Sequence, residues 1–150
     1  MYLDQATFTK VIESTPLISI DLVVENQAGQ VLLGLRNNKP AQGFWFVPGG
    51  RVLKNESLDR AFERLCQEEL GIKLARHQAD FLGPFEHFYD DCVFDDAIST
   101  HYVVLGYKLR LDLAIDALPQ QQHNQYAWFS QDEMRKSDKV HIHSKWYLCK

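Results

Sequence analysis

The chain has 150 residues, 45% of them hydrophobic and 12% aromatic, and a net charge of −4. That length and apolar content suit one folded domain spanning 1–150 and exclude a disordered chain. The acidic balance excludes bulk attraction to nucleic acid or to an anionic membrane, so a phosphorylated ligand must be held by a local cluster of cations or by a metal ion.

The opening MYLDQATFTK carries an early Asp and no long apolar run, so neither a signal peptide nor a membrane anchor is expected. Cys66, Cys92 and Cys149 are odd in number and lack paired metal-ligand spacing, which points to reduced thiols and a cytoplasmic protein. Phe8, Val11 and Ile12 recur at helical spacing over Asp4 to Glu13, with Asp4 as the cap and Pro16 as the stop. LISIDLVVE (Leu17 to Glu25) and Val31 to Arg36 read as two strands of a hairpin, joined by ENQAGQ with Gly29 in the left-handed conformation. A polar loop over Asn37 to Gly43 leads to a short strand, Phe44 to Val47, and then to the glycine loop Pro48-Gly49-Gly50.

The next segment is an amphipathic helix. Leu58, Ala61, Phe62, Leu65 and Cys66 form one apolar stripe, and stepping roughly 100° per residue places Glu69 near its middle. An ionised carboxylate there must be paired or bound to a cation, because a bare one in a low-dielectric site would take up a proton. Two readings follow: Glu69 is a metal ligand, or the helix ends a turn early and Glu69 reaches water. Glu68 lies about 90° around the helix and is set either to bind a second ion or to pair with Arg64 at i, i+4, the pair being the expected arrangement.

Strands follow over Phe81 to His87 and His101 to Leu111, separated by the acidic loop of Tyr89-Asp90-Asp91 and Asp95-Asp96. The polar loop PQQQHNQ precedes a short strand, Tyr126 to Phe129. Ser130 with Glu133 makes a capping box for a helix, and Ile142 to Leu148 reads as a last one. Without repeats or linkers, one mixed α/β domain is the economical architecture.

Residues 49–72, GGRVLKNESLDRAFERLCQEELGI, closely resemble the Nudix box: Gly50, Glu56, Arg64, Glu68, Glu69, Gly71 and Ile72 match at the family's spacing. Leu65 stands where the family has a Glu. The chain is further similar, nearly end to end, to the GDP-mannose mannosyl hydrolase branch. That likeness is carried by STPLISIDLVVEN, NKPAQGFWFVPGGRV, AFERL, EHFYDD, THYVVLGY and the Gln122-His123 pair. This branch lacks the same Glu, so Leu65 belongs to the likeness, whereas Glu68 stands where the branch carries a non-acidic residue.

The resemblance implies a Nudix fold, a mixed β-sheet sandwiched between α-helices, and a homodimer acting on a nucleotide-sugar. The implied reaction is hydrolysis of GDP-mannose, with GDP-glucose beside it, at the sugar's C1 with inversion. Most Nudix enzymes attack phosphorus instead, and a conventional pyrophosphohydrolase or a binding module without turnover are the alternatives. Inverting glycosidases need an acid and a base. A nucleoside diphosphate is already a good leaving group, so a metal and arginines can replace the acid.

His123 fits the base, since an imidazole titrates near neutrality in a loop where it can reach water; without the resemblance it would read as a solvent-exposed loop residue. The resemblance carries the metal site onto the Gly49 carbonyl, the Glu69 carboxylate and the Gln122 amide. These are oxygen donors suited to one Mg²⁺ per subunit, for which Mn²⁺ can substitute. Arg36 and Arg51 are assigned to the diphosphate, a guanidinium being able to hold two phosphate oxygens at once. Asp21, a polar residue in an apolar strand, is carried over to the sugar or base, and His87 and Tyr102 to the sugar and diphosphate. Tyr2, Leu3 and Phe8 resemble the family's nucleotide-contacting N-terminus, where an aromatic can stack on guanine; Phe8 fits equally as core of the first helix.

Overall fold

The structure is a computed structural model and describes residues 2–119 and 123–148, with the backbone alone at 123 and 124. The elements are α1 (Gln5–Ser14), β1 (Leu17–Glu25), β2 (Val31–Arg36), β3 (Trp45–Phe46), β4 (Gly49–Arg51) and α2 (Leu58–Leu70). They continue with β5 (Asp80–Tyr89), β6 (Thr100–Arg110), β7 (His123–Phe129), α3 (Gln131–Lys136) and α4 (Ile142–Lys145). The Asp4 side chain caps α1 by accepting from the Thr7 N–H at 2.8 Å. Ser130 and Glu133 close the expected capping box on α3.

All seven strands belong to one mixed sheet, with the path β3-β2-β1-β6-β5. β1 runs parallel to β6 along its whole length, from Leu17↔Tyr102 to Glu25↔Arg110. The expected hairpin of β1 and β2 closes only at its turn, where Glu25 pairs with Val31. Beyond that point the strands part. β1 takes β4 as its partner at Ser19, Ile20 and Asp21, while β2 takes β3 at Gly34 and Leu35 and β7 on its other edge. The sheet therefore forks, and residues 45–51 bridge the opening. The Leu22 N–H donates to the Pro48 carbonyl at 2.8 Å to hold the bridge in place. The glycine segment is thus a strand rather than a free loop, because β1 offers it an unpaired edge.

Alternation along β1 divides the core between two layers. Ile20, Leu22 and Val24 pack with Ala61, Phe62, Leu65, Cys66 and Leu70 of α2, whereas Val23 packs with Val31, Leu33, Val47 and Met134 of α3 on the opposite face. A third cluster, Ile12, Leu17 and Cys92 with Phe8 against it, seats α1. The sheet lies between helices, as expected. Among the described residues no helix is long and apolar enough to cross a membrane.

Candidate functional site

A cleft opens where the sheet forks. Its lining includes Asp21 from β1, Arg36 from the end of β2, Phe46, and Gly49 to Arg51 from the bridge. Leu65 and Glu68 come from α2, His87 and Tyr89 from β5, and Tyr102 from β6. Tyr2 and Phe8 enter from the N-terminus, and Asn38, Lys39 and Pro40 also line the cleft. There the Lys39 ammonium donates to Asp96 of the acidic loop at 2.5 Å.

α2 places its polar residues with little freedom. Ser57 caps its first turn, and Gly71 ends it in the left-handed conformation at φ 73°. Glu69 consequently stays inside the helix and is 3% exposed, so the reading in which it frays into water does not hold. Its Oε1 lies 3.4 Å from the Gly49 N–H, behind the cleft's glycine wall. Burial pushes its pKa up to about 7; the Gly49 N–H and Arg36 pull it down, while Glu68 and Asp21 raise it. Glu68 makes the i, i+4 pair with Arg64 at 3.1 Å, as expected, and accepts from the Tyr2 hydroxyl at 3.4 Å.

Arg64 also donates to both Glu56 oxygens, at 2.7 and 2.9 Å, and to the Arg51 carbonyl at 2.8 Å. These bonds hold the Glu56 carboxyl below the usual carboxylate range and tie the loop after β4 to the helix. Leu65 is 1% exposed and fills the space beneath Gly50, where an added methyl group would lie 2.5 Å from Leu65 Cδ2.

Opposite the helix, Asp21 carries a pKa raised to about 7 by burial, against the opposing pull of a hydrogen bond from Tyr147 and the charge of Arg36. The guanidinium of Arg36 lies 5.3 Å over the Phe46 ring and that of Arg51 lies 4.4 Å over Phe8. Phe8 packs against the cluster that seats α1, as its reading as core expects, and also lines the cleft. His87 is 4% exposed, and its Nε2 has no hydrogen-bond partner among the described residues. Burial, and then the nearby His143 and His141, hold its pKa down at about 3. Burial likewise raises Tyr102.

Of the expected site residues, Tyr2, Phe8, Asp21, Arg36, Gly49, Arg51, His87 and Tyr102 line one cleft, with Glu69 immediately behind it. Leu3 is half-buried and is not part of the lining. Gln122 lies outside the described residues. The backbone of His123 opens β7 opposite Arg36, so this residue belongs to a strand rather than to the polar loop; its side chain lies outside the description.

Sequence reasoning missed the layer behind the cleft that the C-terminal turn builds. His143 stacks on His87 at 4.2 Å and 14°, His141 stacks on Phe46 at 4.6 Å and 19°, and the Tyr147 hydroxyl donates to Asp21 Oδ2 at 2.6 Å. The alternation of His141 and His143 was the only signal, and the helix expected over Ile142 to Leu148 concealed it, since α4 ends at Lys145.

Among the described residues no group of three or more His, Cys, Asp or Glu is arranged to hold an ion. The donors at Gly49 and Glu69 still fit a hard divalent cation. A carboxylate so enclosed is favoured in its charged form by a cation, and backbone oxygen, water and phosphate can complete the shell.

A family model described as NUDIX domain matches residues 15–148. The chain is 45% identical over 102 residues to the low-salt glycan biosynthesis protein Agl8 of Haloferax volcanii, a stretch that spans 68% of this chain and 64% of that protein's length. Among solved structures, the MutT protein of Methanosarcina mazei Go1 matches with a TM-score of 0.68 at 22% identity, over 88% of this chain and 90% of that one. A MutT NUDIX hydrolase from Burkholderia pseudomallei matches with a TM-score of 0.65 at 26% identity, over 88% and 95%.

Proposed function

The chain belongs to the NUDIX family, and on that premise we propose that it is a divalent-metal-dependent hydrolase of a GDP-sugar. GDP-mannose is the first substrate and GDP-glucose the second, each cut between the sugar's C1 and the β-phosphate oxygen. The observation that carries this reading is the state of the three acidic positions of the family's helix. Leu65 fills one, Arg64 and Tyr2 engage Glu68 at the second, and Glu69 alone is buried at the glycine strand. That arrangement supports one ion holding a leaving group rather than a carboxylate cluster activating water at phosphorus.

A Mg²⁺ held by Gly49, Glu69 and Gln122 would neutralise charge developing on the β-phosphate. Arg36 and Arg51 hold the diphosphate oxygens from the two sides of the fork. Asp21, His87 and Tyr102 offer the polar groups that hydroxyl-bearing ligands require. His123 takes a proton from water as that water's oxygen bonds to C1 and the C1–O bond breaks, leaving its electron pair on GDP.

Turnover in ¹⁸O-water tests the reading. Label is expected in the free hexose; label in GDP, GMP or a sugar phosphate overturns it and favours cleavage at phosphorus. In the same assay His123→Ala is expected to lower kcat by about 10²- to 10⁴-fold, the range for a lost general base.

A further inference from the structure

We propose that Tyr147 is a positioning residue for the sugar half of the cleft, acting through Asp21; this rests on the GDP-sugar reading of the site. Asp21 stands in a row built around it. Its register partners on both neighbouring strands are glycines, Gly49 on β4 and Gly106 on β6. The space those glycines leave is used: a methyl group at Gly49 would sit 2.6 Å from Asp21 Oδ1, and one at Gly106 would sit 2.8 Å from Tyr147 Cε1. The tyrosine ring lies over Gly106, edge-on to Phe85 with the ring centres 4.7 Å apart. From there its hydroxyl donates to Asp21 Oδ2 at 2.6 Å. With Oδ2 engaged, rotation of the carboxylate is restrained and Oδ1 is held against Gly49. An untethered Asp would turn broadly about its last torsion.

Tyr147 can do this because its own turn is anchored. The His141 N–H donates to the Trp45 carbonyl at 3.1 Å, and Ser144 Oγ accepts from the Val47 N–H at 3.0 Å. These bonds clip the turn to the bridge that closes the fork. The same turn backs a second cleft residue, since His143 stacks on His87. Asp21 and His87 thus receive their orientation from one short segment that lies outside the lining of the cleft, an arrangement in which outer groups set the aim of inner ones.

The test uses Tyr147→Phe, which removes one oxygen and keeps the ring on Gly106, together with Asp21→Asn and the double variant. For Tyr147→Phe, kcat/KM for GDP-mannose is expected to fall about 10- to 100-fold, the scale of a lost hydrogen bond to a charged group. Competitive inhibition by GDP, which lacks the sugar, is expected to stay within about two-fold of wild type. The double variant is expected to be no slower than Asp21→Asn, because two residues acting as one unit do not add their losses. Wild-type kcat/KM in Tyr147→Phe, losses that multiply in the double variant, or GDP inhibition weakened as much as kcat/KM would each overturn the inference. Wild-type protein run alongside separates the two levels: if it releases no GDP from GDP-mannose, the reading of the site fails and this inference with it, whereas normal wild-type turnover with any of those three results sinks this inference alone.

Discussion

At the scale of single residues, the proposed metal site sets a proton and a divalent ion in competition for Glu69. Its pKa near 7 in the absence of an ion means that the carboxyl is mostly protonated at pH 6 and mostly ionised at pH 8. Binding of Mg²⁺ must displace that proton, so the ion is expected to bind about ten-fold more weakly at pH 6 than at pH 8. Calorimetry in buffers of different ionisation enthalpy should record proton release at pH 6 and almost none at pH 8. Glu69→Gln should remove both the binding and its pH dependence, and a variant that binds Mg²⁺ as wild type does would take Glu69 out of the metal site. Glu69 was legible because a carboxylate interrupts an apolar stripe, and Asp21 because it interrupts an apolar strand. Tyr147, His141 and His143 were not, since what marks them is the partner each meets across the fold, Asp21, Phe46 and His87, and no spacing along the chain encodes a partner 126 residues away.

At the scale of elements, the last turn of α2 decides where Glu69 points, and Gly71 decides how that turn ends. Its φ of 73° lies in the left-handed region, while a methyl group there would meet Pro119 at an ordinary 3.5 Å. Gly71→Ala should therefore cost about 1 kcal/mol through backbone strain rather than through collision. Urea unfolding is expected to show that loss as a lower midpoint at an unchanged m-value; an unchanged midpoint would mean that the helix end relaxes freely. This helix was the most readable element, because its stripe, cap and terminal glycine all agree. β4 was hidden by its composition, Gly-Gly-Arg, which signals a loop, whereas an open edge on β1 makes it a strand. The hairpin expectation was right about its turn and wrong about its length. Local turn chemistry brings Glu25 to Val31, and tertiary pairing with β3, β4 and β7 then draws the two strands apart.

At the scale of the whole molecule, the carboxylates and the histidines in and behind the cleft titrate against each other. Asp21 and Glu69 have folded pKa values near 7, above their ordinary 3.8 and 4.5. As pH rises through that range the unfolded chain gives up protons that the folded chain keeps, so their contribution to stability is present at low pH and lost by about pH 7. His87 is depressed to about 3, and His141 and His143 to about 4, all from 6.5. Below pH 6.5 the unfolded chain takes up protons that the folded rings refuse, so the histidines contribute stability that is present above pH 6.5 and lost as pH falls toward 4. From pH 4.5 up to about 7.5 the two groups oppose each other, because the histidines of the unfolded chain, with their ordinary pKa of 6.5, still carry protons in the range where the carboxylates titrate. In EDTA, Tm should therefore change little between pH 6.5 and 7.5, where the loss from two carboxylates is nearly matched by the gain from three histidines. Saturating Mg²⁺ should turn this plateau into a rise, because binding to ionised Glu69 takes away its opposing contribution and leaves Asp21 alone against the histidines. With Asp21→Asn and Glu69→Gln combined, the histidines act alone, and Tm should rise steadily from pH 4.5 to about 7.5 and then level off. A double variant that stays as flat as wild type between pH 6.5 and 7.5 would place the responsible carboxyl groups elsewhere in the fold.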